Sequence, residues 1–353
     1  MDLYNSNLYL NDIKELANLD LDYQRLKNKS ILVTGACGLI GSFMIDTIMY
    51  LNEHNNLNCH IYGMGINLEK GRIRFQKYLD NKLFDYLSHD VNLPLDEIDI
   101  NFDYIIHLAS NTHPKLYATK PISTITTNVI GTNNLLDYAS KHQCTRFIFA
   151  SSNEIYGENR GDTELFNEEY LGYINSNTLR AGYPESKRCG EALCQAYLNE
   201  RELDVVIARF TRTYGPTMLK DDTKAISQFI NKALDNEDIV LKSEGKQYYS
   251  FTYVFDAVYG LFIVLLNGIT GEAYNISNPN SDITLKDLAT LIANSVGRKV
   301  VFELPDEIES KGFSKATKAR LDNTKITGIG YKPVYDIKKG VERTINILKE
   351  IRK

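Results

Sequence analysis

The order of hydrophobic and polar positions along the chain predicts strands that alternate with helices. Short apolar runs, bounded by turn residues, cover residues 30–34, 60–64, 104–108, 146–150 and 205–210. Such runs are typical of buried strands. Amphipathic stretches at residues 39–51, 122–142 and 184–201 are predicted helices. This alternation predicts an α/β fold built on a doubly wound, parallel Rossmann-type sheet.

The alternation of strands and helices does not extend to the two ends of the chain. Residues 1–29 carry apolar positions at helical spacing, among them Leu8, Ile13 and Leu16, and are predicted to form an N-terminal helical extension. Residues 30–214 are predicted to form the Rossmann domain. From about residue 215 the segments are shorter and richer in turns. We therefore expect 215–353 to be mainly a smaller, substrate-binding domain, with some segments returning to the Rossmann sheet.

Composition excludes several function classes. The 353 residues are 43% hydrophobic and 24% charged, as in ordinary globular proteins. A net charge of −5 gives no basic footprint for nucleic acid. No apolar run reaches the roughly 18 residues of a membrane span, and the polar start does not resemble a signal peptide. These features predict a protein without nucleic-acid or membrane partners.

The cysteines and histidines give no metal-binding pattern. None of the five cysteines belongs to a CxxC pair, which predicts reduced, intracellular thiols. His107 and His113 are isolated in or after a strand, so we interpret them as packing or loop residues. The sequence predicts no metal site.

A glycine-rich turn follows the first predicted strand. Gly35 permits a tight turn, Gly38 allows the backbone to approach a pyrophosphate, and Gly41 lets the next helix pack closely. The helix N-terminus would then face the phosphates. Because the turn lies between a strand and a helix, dinucleotide binding is favoured over a purely structural turn. The predicted cofactor-binding residues here are Gly35, Cys37, Gly38, Leu39, Ile40 and Gly41.

The second predicted strand lacks the acidic residue that usually binds the adenosine ribose. Asn67 is the candidate for that contact, and Lys70, Arg72 and Arg74 are candidates for a 2′-phosphate. The same cations also fit a solvated helix face. NAD is therefore favoured as the cofactor, and NADP stays open.

A tyrosine and a lysine lie four residues apart at Tyr183 and Lys187, a spacing that puts both on one helix face. A free phenol has a pKa of about 10 and is a poor base at neutral pH. A neighbouring ammonium and a positive nicotinamide ring would lower that pKa. Tyr183 then accepts a proton from a sugar hydroxyl while hydride leaves the same carbon. Ser152, at the end of the fourth predicted strand, lies where open α/β sheets bind substrates.

These motifs together resemble the extended short-chain dehydrogenase/reductase superfamily over roughly residues 30–350. The resemblance extends to the HLAS segment at 107–110, the RFTRTYGP segment at 209–216 and the YVFD segment at 253–256. It implies that the cofactor is also bound by Asp90, Val91, Leu108, Ala109, Ser110, Asn128 and Arg209, together with Tyr183 and Lys187.

Within that superfamily the chain is most similar to UDP-glucuronate decarboxylases. The likeness is carried by HLAS, by the RAGY segment at 180–183 with Lys187, and by the segments at 221–222 and 227–230. It implies a homodimer joined through a four-helix bundle, formed by the helices near 122–142 and 184–201. It also implies cytoplasmic sugar-nucleotide synthesis, often for surface polysaccharide.

Asn153 and Glu154 indicate which reaction follows the oxidation at sugar C4. In the resembled enzymes, 4,6-dehydratases carry Asp-Glu here, decarboxylases carry Ser-Glu, and simple 4-epimerases usually have no acid. Asn153 cannot donate a carboxylic proton, which disfavours dehydration, whereas Glu154 disfavours plain epimerisation. We rank decarboxylation first, then elimination, then epimerisation. The alternative interpretation of Glu154 is a structural cap or a surface charge.

Three positions depart from the decarboxylase pattern. Arg212 replaces an asparagine, Thr217 replaces an arginine, and Tyr249 replaces an arginine that contacts the diphosphate and helps to place the sugar. A phenol provides neither the charge nor the fork of a guanidinium, so Arg212 or Lys246 would have to supply the charge. The predicted substrate-binding residues are Asn153, Arg212, Thr213 and Tyr249.

Two other classes of function remain as alternatives. A non-catalytic protein that only binds the cofactor is disfavoured because it would not need Ser152, Tyr183 and Lys187 together. A net oxidoreductase that releases the keto sugar would consume NAD+ in each turnover, whereas the other reactions regenerate it.

Overall fold

A computed structural model describes residues 2–112, 114–303 and 317–352, and His113 lies outside them. Its strands, in chain order, are β1 Ser30–Thr34, β2 His60–Gly65, β3 Phe84–Ser88, β4 Tyr104–His107, β5 Arg146–Ser152, β6 Val205–Phe210, β7 Arg212–Tyr214, β8 Ile239–Leu241, β9 Tyr248–Tyr253, β10 Ala273–Ile276, β11 Asp282–Thr284, β12 Val300–Phe302 and β13 Lys318–Ala319.

The helices lie between these strands and at both ends of the described chain. They are α1 Asn7–Ala17, α2 Leu39–Asn55, α3 Leu68–Arg74, α4 Pro114–Thr119, α5 Pro121–Thr126, α6 Thr132–Lys141, α7 Gly182–Arg201, α8 Ala225–Leu234, α9 Val254–Asn267, α10 Leu285–Ser295, α11 Thr324–Gly328 and α12 Ile337–Arg352. A π-helical turn, Thr127–Gly131, joins α5 to α6.

Seven parallel strands form the central sheet in the order β10-β6-β5-β4-β1-β2-β3. The predicted Rossmann-type fold is confirmed. The strand order reverses between β1 and β4, and such a switch point opens a crevice at the carboxyl ends of the strands. All five predicted strands are present, and β3 and β10 complete the two edges.

The core lies on both faces of this sheet. Side chains alternate along a strand, so Ile31 and Val33 belong to one apolar cluster and Leu32 belongs to the other. All three are fully buried. Helices cover both faces, which explains why the central strands are almost continuously apolar.

Smaller sheets form from the part of the chain after β6. Strand β9 pairs with β7, β11 and β13, and β8 pairs with β12. Strand β10 returns to the central sheet beside β6. The domain boundaries at residues 29 and 214 remain predictions.

A buried ion pair attaches the N-terminal segment to the central sheet domain. Asp46 on α2 is almost fully buried, and Arg74 Nη2 lies 2.5 Å from its Oδ2. The Tyr4 hydroxyl donates to Asp46 Oδ1 at 2.6 Å, and the Tyr9 hydroxyl donates to Oδ2. This network occupies Arg74, one of the cations considered for a 2′-phosphate.

A second network joins α1 to the C-terminal part of the chain. Asp12 is fully buried and accepts hydrogen bonds from Arg343 Nε at 2.7 Å and from the Tyr253 hydroxyl at 2.6 Å. Through Tyr9 and Asp12, α1 thus contacts both the central sheet domain and the final helix. The buried charges in both networks are paired, as buried ions require. None of the helices in the described segments has the length and apolar character to cross a bilayer.

Candidate active site

The glycine turn between β1 and α2 has the geometry of a dinucleotide cradle. Gly35 has φ +66°, and a Cβ there would lie 2.9 Å from the backbone of Ala109, which follows β4. A Cβ on Gly41 would lie 2.8 Å from the Gly35 carbonyl oxygen. Gly38 caps α2 without a side chain, so the first N–H groups of this long helix can bind an anion. Cys37, Leu39 and Ile40 belong to the same turn.

Replacing Gly35 tests whether this close approach matters. Gly35→Ala should destabilise the fold and lower the affinity for NAD, because the new Cβ must displace the backbone at Ala109. Gly297→Ala is the matched control, since Gly297 has φ +68° with no atom within 4 Å of its Cβ position. The control should cost only left-handed backbone strain, about 1 kcal/mol. Calorimetric NAD titrations that match for the two variants would contradict the cradle.

A buried hydrogen-bond chain links the carboxyl ends of β1 and β4. The Ala109 N–H donates to Thr34 Oγ1 at 3.2 Å, and Thr34 Oγ1 lies 2.9 Å from His107 Nδ1. His107 Nε2 lies 3.1 Å from Thr132 Oγ1, which itself donates to the Asn128 carbonyl. Burial, with the Lys187 charge, lowers the pKa of His107 to about 3. His107 is therefore a neutral packing residue that positions the segment containing Leu108, Ala109 and Ser110.

The residues predicted to contact adenosine lie after β2 and β3. Asn67 is exposed and caps α3, its Oδ1 accepting from the Lys70 N–H at 2.8 Å. Asp90 is exposed and accepts from the Asn92 N–H at 3.0 Å. Val91 is buried beside Gly131. The three stand at one edge of the crevice, and their contacts to a cofactor remain predictions.

Ser152, Glu154 and Tyr183 meet where β5 ends. Helix α7 tolerates Pro184 because it lies in the first turn, where a backbone N–H has no intrahelical acceptor. The Tyr183 hydroxyl, on that turn, lies beside the hydroxyl groups of Ser152 and of Tyr117 on α4. The rings of Tyr183 and Tyr117 stack with centroids 4.6 Å apart. Tyr117 was not found from the sequence.

Burial raises the pKa of Tyr183 to about 12, and the neighbouring Ser152 and Tyr117 hydroxyls oppose this only in part. This direction is opposite to the lowered pKa that the sequence predicts for the complete site. The protein groups by themselves therefore hold the phenol protonated. The positive charge of an oxidised nicotinamide would favour the phenolate.

Lys187 lies one helical turn from Tyr183 and is fully enclosed. Its Nζ donates to the Ala150 carbonyl at 2.7 Å and sits 4.8 Å from the Phe149 ring centroid. Burial lowers the pKa of Lys187 to about 7, with Glu191 opposing. The structure thus joins Lys187 to β5, two residues before Ser152, and gives it no hydrogen bond to Tyr183.

Glu154 lies between two arginines. Its Oε2 is 2.7 Å from Arg180 Nη2, and its Oε1 is 3.9 Å from Arg212 Nη2. Arg180 precedes Tyr183 by three residues, a spacing that places both on one face of the chain, and sequence reasoning did not assign it a role. The side chain of Glu154 is 22% exposed and paired with Arg180, so it is not a solvated charge, and its role in the reaction remains a prediction.

Asn128 and Arg209 are both placed by hydrogen bonds to α7 or its neighbours. Asn128 is buried in the π-helical turn, where its Nδ2 donates to Ser186 Oγ at 2.9 Å and its Oδ1 has no partner within the described chain. Such turns often mark functional sites. Arg209 instead forms a two-pronged ion pair with Glu191 at 2.7 and 3.0 Å. That pair gives Arg209 a structural role, and its predicted cofactor contact has no support here.

Of the predicted substrate residues, Asn153 directly follows β5, Arg212 and Thr213 lie on β7, and Tyr249 lies on β9. Asn153 and Thr213 are buried, and the Arg212 guanidinium stacks on the Tyr249 ring at 3.5 Å. In the described parts of the chain, no cluster of three or more His, Cys, Asp or Glu side chains has the arrangement of a metal site.

Known protein families and curated proteins include relatives of this chain. The sequence model of the NAD dependent epimerase/dehydratase family matches residues 31–277. UDP-glucuronic acid decarboxylase 1 of Xenopus tropicalis is 33% identical over 323 residues, covering 91% of this chain and 72% of the relative. UDP-glucuronic acid decarboxylase 6 of Arabidopsis thaliana is 33% identical over 320 residues, covering 89% and 87%.

Solved structures share the fold at lower sequence identity. A dTDP-glucose 4,6-dehydratase from Streptomyces venezuelae superposes with a TM-score of 0.79 at 24% identity, covering 91% of this chain and 97% of that one. A UDP-glucuronic acid 4-epimerase from Bacillus cereus gives 0.77 at 23% identity, covering 91% and 99%. The family match and the curated relatives show that this chain belongs to the NAD-dependent epimerase/dehydratase family of enzymes.

Proposed function

We propose that this enzyme oxidises C4 of a nucleotide-linked uronic acid, decarboxylates it and then reduces the ketone again. The observation that carries the proposal is the meeting of Ser152, Tyr183 and Glu154 where β5 ends, on the same sheet edge as the glycine turn. The curated relatives named UDP-glucuronic acid decarboxylase support UDP-glucuronate as the substrate.

The cofactor is NAD, and the carboxyl ends of β1 and β4 would hold it. The start of α2, which has no side-chain cap, would bind the pyrophosphate, and Gly35 and Gly41 leave room for the backbone contacts that form this cradle. Arg74 is held by Asp46, so a 2′-phosphate would meet only Lys70 and Arg72, both exposed. This arrangement supports NAD over NADP.

Tyr183 acts first as a base and last as an acid. It accepts the C4 hydroxyl proton, and Ser152, whose hydroxyl lies beside the phenol, orients the same sugar hydroxyl. Bound NAD supplies the hydride acceptor for this oxidation and the hydride donor for the final reduction. Lys187 adds a buried group that carries positive charge below its pKa of about 7.

Oxidation at C4 turns the C5 carboxylate into part of a β-keto acid. The C5–carboxylate bond breaks, CO2 leaves, and the electron pair moves onto the C4 oxygen as an enolate. A proton then adds at C5, and Tyr183 returns a proton to the C4 oxygen as hydride comes back. We assign this proton transfer to Glu154, held by Arg180 at 2.7 Å: as a carboxylic acid it gives its proton to C5, and the carboxylate that remains regains a proton from solvent.

Mass spectrometry of the sugar product tests this proposal. We expect purified enzyme with NAD to convert UDP-glucuronate to a product lighter by one CO2, without accumulation of NADH. A product lighter by one water would indicate dehydration, and an isomer of equal mass would indicate epimerisation. NADH formed in equal amount to product would indicate a net oxidoreductase. Any one of these three results would contradict decarboxylation.

We also propose a homodimer joined through α5–α6 and α7, working in the cytoplasm. Ile122 and Ile125 are 77% and 40% exposed and lie on one side of α5, an arrangement that supports contact with a second copy. All five cysteines are free thiols, which supports a reducing compartment. Light scattering should give the mass of a dimer, and Ile122→Lys should shift it toward the monomer.

A further inference from the structure

The charged cluster around Glu154 holds more positive than negative charge. Glu154 forms one close ion pair, at 2.7 Å, with Arg180. The second separation, 3.9 Å to Arg212, is too long for a hydrogen bond. The Arg180 and Arg212 side chains are only 19% and 17% exposed. Two partly buried guanidinium groups therefore share one carboxylate.

Several donors in this cluster have no acceptor. Nε and Nη1 of Arg180 and Nη1 of Arg212 are buried, and none has a hydrogen-bond partner among the residues that the structure describes. A buried N–H of a charged group without an acceptor is costly. The excess charge and the unpaired donors both indicate that an anion completes this cluster.

Aromatic rings fix both guanidinium groups. The Arg212 guanidinium lies 3.5 Å from the Tyr249 ring centroid, and that of Arg180 lies 4.8 Å from the Tyr117 centroid. Strand pairing sets the first contact, because Arg212 on β7 pairs with Phe251 on β9, two residues after Tyr249. Stacking restricts the planar groups before a ligand arrives, which favours two-pronged recognition of an anion.

The location of the cluster indicates which anion it binds. Tyr117 stacks on Tyr183 at 4.6 Å and also lies under Arg180. Arg180 therefore adjoins the proposed base, where the sugar ring would react, and Arg212 lies on the other side of Glu154. Resting on the proposed function, we infer that Arg180 and Arg212 bind the carboxylate of the uronic-acid substrate, and that Arg212 makes the enzyme select uronic acids over neutral sugars.

If Arg212 binds the substrate carboxylate, its replacement should change substrate binding more than turnover. The guanidinium contacts are made to the carboxylate of the ground state, and such contacts lower KM without raising kcat. Arg212→Gln should weaken UDP-glucuronate binding roughly tenfold to a hundredfold, the range for a lost hydrogen bond to a charged group. Binding of UDP-glucose and of UDP should change by less than about twofold, since neither carries the carboxylate.

Titration calorimetry on the NAD-loaded protein, with these three ligands, provides the test. Arg320→Gln is the matched control, because Arg320 stacks on the neighbouring Tyr248 at 4.6 Å and pairs with Glu164. It should leave all three affinities unchanged. Equal weakening of all three ligands by Arg212→Gln would assign Arg212 to the diphosphate and overturn the inference, as would no weakening of any.

A conservative variant covers the case in which Arg212→Gln disturbs the fold. Arg212→Lys keeps a positive charge at the same position and should retain a preference for UDP-glucuronate over UDP-glucose. A folded Arg212→Lys variant without that preference contradicts the inference. Wild-type enzyme that binds the two sugars equally overturns only this inference, whereas wild-type enzyme that binds no UDP-sugar also overturns the proposed function.

Discussion

Tyr183→Phe is expected to reduce kcat by about 10³- to 10⁴-fold, at the upper end of the range for loss of a general base. The variant keeps the ring that stacks on Tyr117 and loses only the hydroxyl that lies beside Ser152. NAD affinity should stay close to that of the wild type, because the glycine turn is untouched. Steady-state kinetics and NAD titration measure the two quantities separately.

Tyr23→Phe is the control for removal of a buried hydroxyl. Tyr23 is buried outside the site, and its hydroxyl donates to the Leu16 carbonyl at 2.8 Å. This variant should lose about 1 kcal/mol of stability and keep full activity. If Tyr183→Phe retained activity within tenfold of the wild type, Tyr183 would not be the base.

Asp46→Asn is expected to lower the free energy of unfolding by about 3 kcal/mol, since it removes one partner of a buried ion pair. Asp46 is 1% exposed and Arg74 15%, so the guanidinium would lose its counter-charge where water cannot replace it. Two tyrosine hydroxyls of the N-terminal segment also bind this carboxylate. Their release should expose the segment to protease.

Chemical denaturation measures the stability change, and limited proteolysis reports on the N-terminal segment. Asp137→Asn is the control, because Asp137 and Lys141 form an exposed pair one helical turn apart. Solvent screens such a pair, so its loss should leave unfolding almost unchanged. Equal effects of the two variants would show that the Asp46 network does not fasten the N-terminal segment.

Local pattern was enough to predict the inner strands and the principal helices, because each inner strand is a continuous apolar run. Strand β3 was missed because its residues alternate in polarity at the exposed sheet edge. Strand β10 is only four residues long and pairs with β6 across a long stretch of chain. The helix predicted at 122–142 contains a π-helical turn, which the apolar pattern does not distinguish.

For the candidate site, too, the sequence predicted features that depend on local spacing and not those that depend on tertiary contacts. Tyr183, Lys187 and the glycine turn are local spacings, so the sequence was sufficient to propose them. Arg209 and Arg74 form ion pairs with residues 18 and 28 positions away, and these tertiary contacts have no local signal. The contact of Tyr117 with Tyr183 likewise depends on how α4 packs beside α7.

Deuterium labelling at sugar C4 tests the central claim most directly. UDP-glucuronate carrying deuterium at C4 should give a decarboxylated product that retains the deuterium at C4, because the hydride removed from that carbon returns to it. NAD should stay oxidised at the end of the reaction. A decarboxylated product with hydrogen from solvent at C4, or with the deuterium recovered in NADH, would contradict this claim.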